Sequence, residues 1–142
     1  AQDFFEISPA ANKPCCLLGL QLWQSSDVQD AAEEILRVSV FRVPATLTSG
    51  SGGSAGTANV MAATGAAAGF SCEVNNTTVA TTSGTLVQLA HFNFNIRAGL
   101  DVFLPEEFRP WAVNATALCV RLDAAPVDPL TMDGVAYVGE LG

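Results

Sequence analysis

Hydrophobic positions along this chain recur mainly with period two. Phe92-Asn93-Phe94-Asn95-Ile96-Arg97 alternates strictly, the pattern of a strand with one buried and one wet face. The same alternation extends over residues 85–97, with Leu86, Ala90, Phe92, Phe94 and Ile96 inward, until Gly99 breaks it. Ile35 to Val43 (ILRVSVFRV) is a β-branched run and reads as another strand. Shorter strands are predicted at 70–74, 77–82, 101–104 (stopped by Pro105), 115–122 with Leu118, Val120 and Leu122 inward, and 135–138. Cys15 to Trp23 (CCLLGLQLW) is apolar on both alternating sets. Such a strand lies between two layers or in an interface.

The remaining segments carry no such period. SSDVQDAAEE (25–34) predicts a turn or a single helical turn capped by Ser26 or Asp27. A longer helix through Arg37 is the alternative, disfavoured by the β-branched run that begins at Ile35. Residues 46–69 are rich in Gly, Ser, Thr and Ala without an apolar stripe, and predict a long loop or flap with short extended pieces. Residues 1–14 contain Pro9 and Pro14 and read as an extended N-terminal arm. Its neighbouring Phe4 and Phe5 need a groove on this subunit or the next. The expected fold is therefore all-β: a single-domain antiparallel β-sandwich or jelly-roll-like barrel over 15–142, with a long Gly/Ser/Ala-rich loop. No β-α-β alternation of a parallel sheet is present.

Composition narrows the function. Only 14% of residues are charged while 49% are hydrophobic, against a usual charged share of about 25%. A chain so poor in charge is expected to have part of its surface covered by another subunit. The net charge is −8, and the six cations (Lys13, Arg37, Arg42, Arg97, Arg109, Arg121) are scattered singly. That argues against nucleic acid, which needs a basic patch, and against anionic membranes. No apolar run approaches the ~20 residues of a membrane span. The opening residues do not read as a secretory leader, and loss of an initiator Met before Ala1 is the expected start.

Candidate chemistry is sparse. Cys15, Cys16, Cys72 and Cys119 form neither a C-x-x-C pair nor a disulfide framework, and free buried thiols are expected. Without further ligands near them, no metal site is predicted. The one histidine, His91, falls on the polar face of its strand, so no base stands beside a Ser or Cys nucleophile. Glu33-Glu34 and Glu106-Glu107 are sequence neighbours and do not face each other across a substrate. Asp123, Asp128 and Asp133 lack the Gly-centred spacing of a calcium loop. Gly50-Ser51-Gly52-Gly53-Ser54-Ala55 matches a dinucleotide fingerprint in letters only, since no helix follows it, and it is expected to be a mobile loop. Asn75, Asn76 and Asn114 open N-x-[ST] triplets and read as polar turn residues. Neither catalytic residues nor a cofactor are predicted.

What remains are aromatic anchors rimmed by charge, the composition of a protein interface. Phe103, Phe108 and Trp111 surround two prolines, Arg109 and two acids. With Phe4, Phe5 and Trp23 they make the candidate partner-binding set.

Several loose motifs have a common likeness. Ser25-Ser26-Asp27 with the 30–37 stretch, the SGSGG loop within 48–55, Pro105-Glu106 with Arg109-Pro110, and the ending 121–126 through 139–142 resemble small tailed-bacteriophage virion proteins of the capsid decoration, or cement, type. That resemblance implies a β-sandwich subunit on the outer surface of the head, bridging major capsid proteins, commonly as a homotrimer, and made in the host bacterial cytoplasm. It implies no catalytic residues. A neck, tail or fibre-base subunit is the structural alternative. A carbohydrate-binding β-sandwich, with Trp23 or Trp111 as platform, is the alternative from another class.

Overall fold

The computed structural model of the chain describes residues 1–26 and 33–142. Its strands in chain order are β1 (Gln2–Ser8), β2 (Cys15–Gln24), β3 (Ile35–Val43), β4 (Leu47–Thr48), β5 (Ser54–Ala55) and β6 (Ser71–Asn76). There follow β7 (Thr81–Thr82), β8 (Val87–Asn95), β9 (Leu100–Phe103), β10 (Trp111–Ala112), β11 (Ala117–Leu122) and β12 (Met132–Glu140). A 3-10 turn over Glu106–Phe108 joins β9 to β10. The helical turn anticipated after Ser25 falls largely on residues 27–32, outside the described ones.

Two antiparallel sheets pack face to face, as the alternation implied. The larger has the order β5-β6-β1-β11-β3-β8, and the smaller has β2 at its centre, with β12 on one side and β9 and β10 on the other. Inward residues of both sheets make one core: Ile7, Leu36, Val38, Val40, Phe94, Leu118, Val120 and Leu122 from the large sheet meet Cys15, Leu17, Leu20 and Leu22 from the small one. β2 is apolar on both alternating sets because its register slips between Leu17 and Gly19, so the inward positions switch from Cys15 and Leu17 to Leu20 and Leu22.

The N-terminal segment corrects an expectation. Gln2–Ser8 is no arm but an interior strand of the large sheet, paired with β11 on one edge and β6 on the other. The two prolines bracket the β1–β2 connection rather than the strand, and between them a tight turn closes with Lys13 N–H donating to the Ala10 carbonyl at 3.2 Å. Phe4 and Phe5 pack half-buried against this chain's own core. Their groove is on this subunit.

A β-bulge sets what β1 presents. The register slips between Asp3 and Phe5, so Asp3 lies opposite Arg121 while Glu6 lies opposite Cys119. Positions three apart in a regular strand face opposite ways. The extra residue turns both carboxylates to the outer face of the large sheet. There the Arg121 guanidinium donates to Asp3 through Nε at 2.6 Å and Nη2 at 3.2 Å. Nη2 also donates to the Ala80 carbonyl at 2.8 Å, and the Ala80 amide donates to Asp3 Oδ2 at 2.6 Å. The guanidinium lies 5.1 Å from the centre of the Phe41 ring.

Glu6 holds the flap down, while Asp3 holds the segment at Ala80. Glu6 accepts from the Gly50 amide at 2.9 Å and from Ser49 Oγ at 2.7 Å. Asn76 Nδ2 donates to Glu6 at 3.3 Å and to Glu73 at 2.8 Å. Ser51 and Thr78 exchange both backbone hydrogen bonds, and β5 pairs with β6. A Cβ on Gly53 would sit 2.1 Å from the Val74 carbonyl oxygen, and one on Gly50 would sit 2.7 Å from that of Thr78. These glycines thus let the loop lie flat on the sheet. The loop expected to be mobile is anchored through residue 56, whose amide donates to the Cys72 carbonyl at 2.7 Å, whereas 57–67 is exposed throughout. Leu47, Ala80 and Leu86 cover Val43 and Cys119 as a satellite core. Every residue of β11 is consequently buried.

Asp3 is 0% exposed and Arg121 9%, so the pair stands in a low dielectric where a lone charge is costly. Asp3→Asn keeps the shape but leaves Arg121 without a counter-charge, with an expected loss of roughly 3–5 kcal/mol of folding stability. Urea unfolding checks this, and a loss below about 1 kcal/mol would contradict the role given to the pair.

Candidate interaction face

The flap covers the β6-β1-β11 part of the large sheet's outer face, whereas among the described residues the outer face of the small sheet carries exposed aromatic side chains. Gly19 lies at its middle, opposite Tyr137 on β12 and Phe103 on β9. Having no side chain, Gly19 leaves a socket: a Cβ there would meet Phe103 Cδ1 at 2.6 Å. Phe103 leans into that space against Tyr137, ring centroids 5.4 Å apart and planes at 40°. The Tyr137 hydroxyl donates to Gln21 Oε1 at 3.0 Å, and Gln21 Nε2 donates to Asp101 at 3.3 Å. Trp23 lies four residues from Gly19 along β2, roughly 13 Å by strand rise, opposite Asp133.

Exposure separates the anticipated anchors. Phe103 is 60% exposed, Phe108 74% and Trp23 43%. Trp111 is half-buried, pairing with Cys16 on the same outer face. Arg109 turns inward and donates from Nε to the Leu104 carbonyl at 3.1 Å, fastening the 3-10 turn. The structure thus brings Phe103, Trp111 and Trp23 to the outer face of the small sheet, leaves Phe108 exposed on the adjoining 3-10 turn, and packs Phe4 and Phe5 against the core. The sequence reading missed Tyr137 and the Gly19 socket. Both lie in register across β2, information that alternation alone does not carry.

Acids edge this face. Asp101, Glu106, Glu107 and Asp133 are exposed around the aromatic residues. Val135 adds apolar surface beside Gln21. Aromatic and acid-edged, the face has the composition of a contact surface.

The strongest cluster of potential ligand atoms lies elsewhere. Asp3, Glu6 and Cys119 bring their ligand atoms within 4.8 Å of one another, fully buried. Their lone pairs are engaged: Asp3 serves Arg121 and Ala80, and Glu6 serves Ser49, Gly50 and Asn76. The Cys119 thiol is pushed up by burial first, then by Asp3 and Glu6, with Arg121 acting against them. With these carboxylate lone pairs engaged, the cluster serves the ion-pair network. A cavity of about 260 Å³ lies over the 50–55 loop beside Glu73 and Asn76. His91 is exposed on β8, with Nδ1 3.1 Å from Gln88 Nε2. Among the described residues no helix is long and apolar enough to cross a membrane.

Compared with protein-family models, with curated proteins and with solved structures, the chain matches none.

All four cysteines are free. Burial, followed by Cys16 and Glu140, pushes Cys15 from 9.0 up to about 11. Burial, followed by Glu6 and Glu73, does the same for Cys72. Below pH 9 the thiols are protonated folded and unfolded alike. Above it the unfolded chain releases protons that the folded chain retains, so stability falls as the pH rises through 9 toward 11. Urea midpoints between pH 7.5 and 10.5 should drop, and drop less in a Cys15→Ala/Cys72→Ala variant. Parallel slopes for the two proteins would refute the assignment.

Proposed function

We propose that this chain is a structural virion subunit of a tailed bacteriophage, a decoration or cement protein on the outer surface of the head. Its task is to bridge neighbouring major capsid proteins against the pressure of packaged DNA, and it has no catalytic step. The observation that carries this reading is the open aromatic face of the small sheet. Phe103 and Trp23 stand exposed there, with Phe108 exposed on the 3-10 turn that follows β9, on a chain whose buried Asp3, Glu6 and Arg121 are committed to the fold. Rigid aromatics within a polar edge are the residues that dominate protein interfaces. The acids at the edge fit a partner surface carrying Lys or Arg, which steers association and makes it sensitive to salt. Self-association as a homotrimer belongs to the same proposal through the resemblance to cement proteins.

A neck, tail or fibre-base position would use the same face and differ only in place. A carbohydrate-binding module is the second reading, favoured by Trp23 standing exposed near Gln21 and Asp133. It is weakened by Phe103 and Tyr137 packing against each other instead of lying open as a platform.

Cryo-microscopy of the particle that carries this chain tests the proposal. Density at equivalent positions over the head lattice, with the Phe103–Trp111 segment toward the shell, is expected. A single ring at the tail vertex, or absence from the particle, would defeat it. Phe108→Ala removes a side chain that contributes little to the fold, so Tm should be unchanged while affinity for the head falls at least about tenfold. Unchanged affinity would remove Phe108 from the interface.

A further inference from the structure

We propose that β1 is an exchangeable strand, and that two copies of this chain interlock by each inserting Gln2–Ser8 between β6 and β11 of the other. Three observations point there. β1 is the first strand in the chain, yet it occupies the interior of the large sheet with both edges paired. Removing it leaves β6 and β11 unbridged, because they are not neighbours otherwise.

The slot is chemically selective for this strand. It presents the Arg121 guanidinium and the Ala80 amide at the height of Asp3, and the Gly50 amide, Ser49 and Asn76 at the height of Glu6. Only a segment with carboxylates three residues apart, on a strand that bulges between them, satisfies all of these donors. A second copy carries that segment by definition. Insertion in trans would reproduce each of these contacts.

The connection between β1 and β2 is what changes. Pro9 and Pro14 bracket it, and residues before proline favour extended backbone. Within the single copy it must nevertheless reverse at Ala11-Asn12, held by the Lys13-to-Ala10 hydrogen bond. In the exchanged form the hinge straightens and that bond is given up. Short hinges under such constraint promote exchange of identical elements. The short connection holds a chain's own β1 at an effective concentration of order 1 mM, so exchange competes when copies are crowded to that level. The inference does not rest on capsid docking, and either can fail alone.

Ser8 and Ser71 are Cα partners across β1 and β6, a separation within disulfide reach. A size-tagged Ser8→Cys chain and an untagged Ser71→Cys chain are unfolded and refolded together under mild oxidation, at low concentration and near ~1 mM. Exchange predicts a disulfide-linked heterodimer that rises with concentration and is absent when either variant is refolded alone. A second readout needs no new cysteine: the unmodified chain, refolded near ~1 mM, should give a dimer by light scattering that persists after dilution. Returning it to monomer requires withdrawing β1. A chain that is monomeric at every concentration, or a dimer that dissociates promptly and forms no linked heterodimer, would overturn the proposal.

Discussion

A buried charge must be paired where it stands, and in this protein that requirement organises one whole side of the molecule. Arg121 is carried into the sheet by β11, and Asp3 is the carboxylate that meets it. Satisfying the pair fixes β1 as the neighbour of β11 and fixes the bulge after Asp3. The same bulge turns Glu6 outward, where it takes the Gly50 amide and draws the 49–55 segment onto the sheet. Replacing such a pair by apolar groups would be nearly neutral in many proteins, whereas removing one partner is not. Here the pair also sets register, since slipping β1 by one residue would bury both carboxylates in the apolar core.

The two outer faces of the sandwich therefore have different fates. That of the large sheet is covered over β6, β1 and β11 by the flap and its polar network, which engages the Asp3 and Glu6 carboxylates, while Arg37, His91 and Asn93 stay exposed on β3 and β8. That of the small sheet keeps its aromatic residues in solvent. The chain's low charge content, which in the sequence suggested cover by another subunit, divides between these two faces. Part of it is internal, in the doubly buried β11 and the satellite core. The rest is the surface around Phe103, Phe108 and Trp23, on which the proposed capsid contact depends.

Much of the fold was legible because alternation is a local signal. Ile35–Val43 and Val87–Asn95 are strands where the pattern placed them, and Leu118, Val120 and Leu122 face the core. β1 was hidden for physical reasons. Asp3 and Glu6 break period two unless a bulge is assumed, and the partners that justify them lie about seventy and more than a hundred residues away in β6 and β11. Pro9 and Pro14 suggested irregular chain but mark only a hinge. The aromatic segment at 103–111 was visible as composition, while the outward place of Phe103 depended on register with β2 and the inward place of Arg109 on the 3-10 turn that it fastens. The glycines at 50–53 suggested looseness, yet serve close approach to β6.

Native-state hydrogen exchange resolved by residue addresses the central claim, that Glu6 pins the flap and Asp3 the Ala80 segment onto the sheet. The Ala80 and Gly50 amides, whose acceptors are those two carboxylates, should exchange about as slowly as the amides of β11. Exchange of both at the rate of the exposed 57–67 segment would show that the carboxylates do not hold them, and would contradict the account.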